Sequence, residues 1–215
     1  MESATRMMVK SQISPRGVKS RRVIAAMLKV DRRHFVPDGS VHLAYGDHPV
    51  SIGIGQTISQ PYMVAIMLDL LDVHRGMKVL EVGAGSGYVL ALLRAMGAHP
   101  YGIEWHSTLA EGISLNFRRA GLAEVPVRAG DGGLGWPEEA PFDRVLISAA
   151  CPDVPRPLLD QLAPGGALLA PVNEGFGQIV VRLVKTAGGF EEDYFDRCVF
   201  VPLLGRYGTG QDGPN

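Results

Sequence analysis

Residues 78–88 read Lys78-Val79-Leu80-Glu81-Val82-Gly83-Ala84-Gly85-Ser86-Gly87-Tyr88, and VLALLRAM follows to residue 96. The run KVLEV is short and apolar on both of its faces, the pattern of a strand covered on two sides. SGYVLALLRAM has the length and apolar spacing of a helix. Glycines between them let the chain turn from strand to helix within a few residues, and let a ligand approach the main chain where a Cβ would obstruct it. Outward from this turn the alternation continues. Pro61 opens a helix, MVAIMLDLLDV; the strands YGIEW (101–105), VPVRA (125–129), FDRVLIS (142–148) and GALLAPV (166–172) interleave with the helices TLAEGISLNFRRAG (108–121) and RPLLDQL (156–162). Such alternation requires a parallel sheet with helices on both faces, so the fold class is α/β: a doubly wound, mostly parallel, Rossmann-like sheet. Thr108 and Glu111 have the spacing of a capping box, and Gly121 falls where a left-handed residue closes a helix.

The flanks differ from this core. A helix is expected near 16–30, and residues 35–59, FVPDGSVHLAYGDHPVSIGIGQTIS, read as an ordered loop with short extended pieces. Loops of that length inside a domain are usually lids or binding elements, and residues 34–60 are read as a lid. Beyond the core, QIVVRLVK (178–185) and DYFDRCVFVPL (193–203) alternate around Gly188-Gly189, the signature of an antiparallel hairpin on the sheet edge. The tail 208–215 reads as frayed. The whole is read as a single domain, 1–215. Residues 1–60 supply the N-terminal helix and a substrate-side loop, 61–172 the cofactor-binding core, 173–207 the C-terminal strands and 208–215 the tail.

Composition excludes several classes. The chain has 215 residues, 46% of them hydrophobic and 20% charged, with a net charge of −1, which is an ordinary globule and not a disordered or fibrous chain. Residues 1–33 hold nine of the 21 Lys and Arg but two of the 22 acids. These cations interleave with Val23, Ile24, Met27 and Leu28 at helical spacing, so they read as the solvated face of a helix and not as a nucleic-acid arm. The two cysteines, Cys151 and Cys198, cannot make a disulfide framework and have no metal-ligand spacing. No signal-like or membrane-length apolar run occurs, so a cytoplasmic, metal-free protein is expected.

Two acids give the glycine turn a chemical meaning. Glu104 ends the second strand, where a carboxylate accepts both hydroxyls of a ribose. Asp131, in Gly130-Asp131-Gly132, ends the third, where it could accept from an adenine amino group. The G-x-G-x-G run is preceded by Glu81, which would repel a pyrophosphate but tolerates a phosphate-free ligand with an ammonium and a sulfonium. S-adenosylmethionine is such a ligand. A second cluster, Gly55-Gln56-Thr57-Ile58-Ser59-Gln60-Pro61, reads first as a helix start in which Ser59 or Gln60 caps and Pro61 opens the first turn; a ligand contact is compatible with that. Ser59 lacks the G-x-S-x-G surroundings of an acyl nucleophile.

The 35–59 loop joined to GQTISQP, the turn VLEVGAGSGY, the segment 130–172 and the terminal FVPLLG together resemble the protein-L-isoaspartate (D-aspartate) O-methyltransferase family over residues 15–206. The resemblance implies a class I S-adenosylmethionine-dependent methyltransferase. It would methylate the free α-carboxylate of L-isoaspartyl residues in damaged proteins and peptides, releasing S-adenosylhomocysteine; the ester cyclises to a succinimide, and hydrolysis restores some normal linkage. Carried over by position, Ser59 is the active-site serine. Thr57, Ile58, Glu81, Gly83, Gly85, Gly87, Glu104, Asp131 and Gly132 contact the cofactor, while Gln56, Ser59 and Val201 meet the substrate. The resemblance also implies a cytosolic protein, in bacteria often a monomer. Gly133, Trp105 and Asn173 depart from the family pattern.

Rival readings remain at this stage. An amino-directed nucleic-acid methyltransferase would show an N-P-P-Y-like tetrad where Ser148-Ala149-Ala150-Cys151-Pro152 stands, and a cytosine-C5 enzyme would carry its thiolate in Pro-Cys order. A non-catalytic nucleotide-binding module and an NAD-linked oxidoreductase are the others.

Overall fold

The structure is a computed structural model that describes residues 3–209. KVLEV forms β3 (Lys78–Val82), an interior strand of a seven-stranded sheet whose order is β5-β4-β3-β6-β7-β8-β9. It is flanked by β4 (His99–Glu104) and β6 (Phe142–Ile147), with β5 (Val127–Ala129) beyond β4 and β7 (Leu162–Glu174) beyond β6, all parallel. β8 (Gly177–Thr186) and β9 (Gly189–Cys198) add antiparallel at one edge. The sheet is therefore the expected doubly wound one with an antiparallel C-terminal extension.

Side chains alternate across it as a pleated strand dictates. Val79, Leu146 and Leu169 enter one core, with α2 (Arg21–Lys29), α3 (Pro61–Leu71) and α4 (Tyr88–Ala95); Leu80, Val82, Val145, Ile147 and Leu168 enter the other, with α6 (Arg156–Asp160). The remaining helices are α1 (Ala4–Met8), which the sequence pattern did not mark, and α5 (Ser107–Arg119). Residues 35–59 contain 3-10 turns and a small hairpin, β1 (Val50–Gly53) with β2 (Gln56–Ile58).

Several local expectations are corrected. The helix expected near 16–30 begins only at Arg21: Gly17 is left-handed, and the Ser20 hydroxyl caps by accepting from Val23 N–H. Its buried stripe is Val23, Ala26 and Met27, with Leu28 on the exposed side. Most of the nearby cations are solvated, but Arg32 is fully buried. The capping box does not form, because α5 starts at Ser107 and Thr108 lies inside its first turn; the cap position is His106, which makes no side-chain cap bond. At the other end, Gly121 (φ +66°) closes α5 as expected: its N–H donates to Arg118 O at 3.0 Å and Leu122 N–H to Phe117 O at 2.9 Å, a Schellman closure.

Neither Ser59 nor Gln60 caps α3 with its side chain. Asp47 does so from the preceding loop, accepting from Tyr62 N–H at 3.3 Å while pairing with Arg16. The second arm of the C-terminal hairpin ends at Cys198, not at Leu203. The Gln178 side chain clamps both main-chain groups of Phe200, and residues 201–203 turn back over the strand ends to bond Ala150. Gly208 and Thr209 are not frayed: their N–H groups donate to Gly205 O and Leu203 O. Residues 210–215 of the expected tail lie outside the described residues.

The two ends of α5 give a paired prediction. A Cβ on Gly121 would meet nothing within 4 Å, so Gly121→Ala costs about 1 kcal/mol through backbone strain alone. Thr108→Ala changes stability by less than about 0.5 kcal/mol, because no cap is lost. Urea unfolding of both variants checks this; a Thr108→Ala loss near the ~1 kcal/mol of a true cap would restore the box.

Candidate active site

The chain leaves β3 toward β4 and β5, then returns to β6 and β7 on the other side, so strand order reverses between β3 and β6. Ligands of such sheets bind at the carboxyl ends of the strands at that reversal. Ser148, just past β6, donates its N–H to Val82 O at 2.8 Å and its hydroxyl to Glu81 Oε1 at 2.9 Å. Glu104, at the end of β4, is 5% exposed and accepts from Gly85 N–H at 2.8 Å through Oε2 and from His106 N–H at 3.0 Å through Oε1. A carboxylate has about four lone-pair sites, so each oxygen can still accept a hydroxyl.

Two hollows meet here. The first lies over the strand ends, among Gln56, Thr57, Gly83, Gly85, Glu104, Trp105, His106, Gly132, Ser148 and residues 201–204. Its volume is about 50 Å³, room for a water or two and not for a nucleoside. The second is about 740 Å³, lined by Thr57, Ser59, Tyr62, Met63, Ile66, Phe195, Val199 and Phe200 among others, with Arg16 and Arg197 as its cations. Thr57, Ser148 and Val201 belong to both walls.

The first hollow has unsatisfied donors for a nucleoside. Trp105 Nε1 and the His106 Nε2 ring nitrogen are buried without hydrogen-bond partners, and buried polar groups of native proteins are nearly always partnered by something. An adenosyl ligand fits this chemistry, its diol on Glu104 and its ring and hydroxyl groups against Trp105 and His106. Its bulk needs the hollow to widen; the β1–β2 hairpin covers the turn there, and a Cβ on Gly85 would sit 3.3 Å from Ile52 Cδ1.

The sequence-derived residues divide as follows. Gly83, Gly85, Glu104 and Gly132 line the first hollow, as do Gln56, Thr57 and Val201. Ser59 lines the second, with Thr57 and Val201; Gln56, expected on the substrate side, lies on the first instead. Ile58 is buried in the core beneath the hairpin. Gly87 caps α4, and the close neighbour that its missing Cβ admits is Ile113 of α5, at 2.8 Å.

Glu81 does not line either hollow. It is 1% exposed, and burial holds its carboxyl well above the usual carboxylate range, with Glu104 adding repulsion while the Ser148 hydroxyl and the Leu90 main chain act against the shift. Its other oxygen has no partner of normal geometry. Asp131 spends its oxygens on main chain, accepting from Gly133 N–H at 2.9 Å and from Arg206 N–H at 2.8 Å. Asp131 itself lines neither hollow; its neighbour Gly132 lines the first.

Sequence reasoning missed Ser148, His106, Arg16 and Arg197 in these walls. Ser148 alone carried a usable signal, as the residue ending the fourth strand. Cys151 is buried, its thiol pushed up to about 12 by desolvation and donating to Pro171 O at 3.3 Å, so it packs and does not act as a nucleophile. Among the described residues no three His, Cys, Asp or Glu side chains gather to hold a metal, and no helix is long and apolar enough to cross a membrane.

Comparison with known proteins closes the question of family. A family model described as protein-L-isoaspartate(D-aspartate) O-methyltransferase matches residues 3–208. The protein-L-isoaspartate O-methyltransferase of Geobacter metallireducens is 46% identical over 210 residues, covering 97% of each chain. That of Hyperthermus butylicus is 46% identical over 217 residues, covering 95% of this chain and 90% of its own. Among solved structures, a Plasmodium falciparum protein described under the same enzyme name, in complex with S-adenosyl-L-homocysteine, superposes with a TM-score of 0.81 at 25% identity, over 94% of this chain and 99% of its own. With the match running almost end to end on both sides, the chain belongs to the protein-L-isoaspartate(D-aspartate) O-methyltransferase family.

Proposed function

We propose that the protein transfers a methyl group from S-adenosylmethionine to the free α-carboxylate of L-isoaspartyl residues in damaged proteins and peptides, the step that opens repair through a succinimide. The observation that carries this reading is the shared wall. A strand-end hollow with unpaired donors meets, across Thr57, Ser148 and Val201, a larger hollow that can take a peptide side chain. The relatives named above supply the acceptor.

When bound, S-adenosylmethionine supplies a methyl group on a sulfonium, which a carboxylate oxygen takes in one displacement that leaves a methyl ester and a neutral thioether. Glu104 would hold the ribose, with Trp105 and His106 against the nucleoside and Asp131 near its base. A carboxylic acid of pKa near 4 is already ionised at pH 7, so the chain need not offer a general base. What the chain must supply is placement and dryness. Holding nucleophile and methyl in line is worth about 7–11 kcal/mol by effective molarity, and stripping water from an anion and a cation that neutralise each other lowers the barrier further. Ser59 and the main-chain amides of residues 56–59 orient the acceptor oxygen, and none of them is covalently modified. The acceptor hollow carries Arg16, which is paired with Asp47, and Arg197, which stands beside Asp196, as the cations that can meet an anionic guest.

The lid is narrower than the whole 34–60 segment. Residues 44–47 are tied by Arg32 to Ala44 O, by Gln12 to Tyr45 O, by the Tyr45 hydroxyl to Asp31 and by Asp47 to Arg16 and Tyr62. The β1–β2 hairpin, with Ile54 54% exposed at its tip, is the part free to open over the first hollow. We also place the enzyme in the cytoplasm, a reading supported by its two free thiols.

Two experiments test this. In a radiolabelled methyl-transfer assay the isoaspartyl peptide gives base-labile ester and its aspartyl twin does not. Ser59→Ala lowers turnover by about tenfold or more while S-adenosylhomocysteine affinity stays within about threefold. Collapse of cofactor affinity with unchanged turnover per bound complex would remove Ser59 from the acceptor side. In hydrogen exchange, residues 50–58 gain protection when peptide and S-adenosylhomocysteine are both present, whereas 44–47 change little; equal protection of the hairpin with and without ligands contradicts the lid.

A further inference from the structure

Arg32 is the fully buried cation of the molecule's described part, and no carboxylate pairs with it among the described residues. It opens a 3-10 turn just past α2, and its guanidinium reaches three separate segments. Nε donates to Ala44 O at 2.9 Å and Nη2 to Ser59 O at 2.6 Å. The guanidinium carbon lies 5.1 Å from the ring centroid of Tyr88, the first residue of α4, directly after the glycine turn. Burial lowers its pKa to about 10, with Tyr88 and Asp47 acting to restore it, so it stays protonated at neutral pH.

Burying a charge is costly unless its hydrogen bonds are used. An apolar residue would fill this core position at less cost, so the chain's use of arginine points to its directed bonds. Those bonds have a particular distribution. Ala44 and Ser59 bracket the segment that contains the β1–β2 hairpin, so one guanidinium pins both of its ends while the hairpin between them is free to move. Ser59 faces the acceptor hollow, and Tyr88 starts the helix that follows the donor-side turn.

We propose that Arg32 is a positioning residue for methyl transfer: by fixing the Ser59 main chain against Ala44 and the start of α4, it sets the distance and angle between the acceptor held at Ser59 and the donor held at the strand ends. The proposal rests on the reading of Ser59 as the acceptor contact. It predicts an effect on alignment and not on binding. A shift of about 1 Å in such geometry can cost about a hundredfold in rate.

The test is a double-mutant cycle of Arg32→Lys and Ser59→Ala. It reads kcat, KM for an isoaspartyl peptide, S-adenosylhomocysteine affinity by calorimetry, and thermal melting. Lysine keeps the charge but cannot reach both carbonyls. Arg32→Lys is expected to lower kcat by about tenfold, with KM and S-adenosylhomocysteine affinity within about threefold, and to cost less than about twofold more when Ser59 is already alanine. Arg32→Gln, which drops the charge but keeps donors, serves as the second variant should the lysine enzyme melt below assay temperature. Equal losses from Arg32→Lys in both backgrounds would overturn the proposal and leave the Ser59 reading standing, as would a kcat loss that tracks the fall in melting temperature across both variants. Wild-type turnover by Ser59→Ala would overturn the Ser59 reading itself, and the proposal with it.

Discussion

The bond from Gly85 N–H to the Glu104 carboxylate holds the site together. It joins the turn after β3 to the end of β4, adding a side-chain tie to the main-chain bonds that Gly83 and Ala84 N–H make to Ile103 O. The same carboxylate takes the N–H of His106, and so sets the start of α5 as well. Positive φ at Gly83, Gly85 and Gly87 makes the turn possible; the buried carboxylate selects one conformation of it. Hydrogen bonds to a charged acceptor are about twice as strong as neutral ones, which suits a group that must organise a turn and present lone pairs to a ligand at once.

Given that anchor, the rest of the site is a problem of placement. The acceptor is an anion before it arrives, so no side chain has to remove a proton, and what the walls contain is apolar surface, hydroxyls, two cations and Asp196. This explains why the buried ionisable groups near the site act at one remove. Glu81, its carboxyl pushed up by burial, lies beneath the strand ends and bonds Ser148; Arg32 bonds main-chain carbonyls at both ends of the hairpin segment. The cations on the acceptor side and the carboxylate on the donor side match the charges of their respective guests.

Much of this was legible in the sequence, and the failures are instructive. The strand–glycine–helix run at 78–96 and the apolar strands around it fix the sheet, because a parallel strand covered on both faces leaves a distinctive pattern. The place of Glu104 at the end of a strand puts it in the wall of the strand-end hollow, whereas Asp131, just past β5, lines neither hollow. Glu81 was not understood: it reads as an acid facing the ligand, whereas its side chain lies under α4, because residues alternate across β3 and its turn falls on the core side. The spacing at Thr108 and Glu111 mimics a capping box, but α5 gains its first turn one residue earlier. The capping role assigned to Ser59 or Gln60 belongs to Asp47, which adjoins Tyr62 only after folding. Arg32 looked like one more cation of a solvated face; nothing local distinguishes it, since its burial comes from Ala44, Ser59 and Tyr88, distant in sequence. Periodicity reports which way a residue faces within its own element, and the errors at the start of α3 and at Arg32 arise where another element supplies the partner.

The measurement closest to the core of this account is calorimetric binding of S-adenosylhomocysteine to the intact chain and to Glu104→Gln, with melting followed in parallel. If Glu104 anchors the diol, the glutamine variant binds at least about tenfold more weakly, the loss expected for a hydrogen bond to a charged group. It should also keep a cooperative melt. A glutamine variant that binds within about twofold of the intact chain would contradict the account.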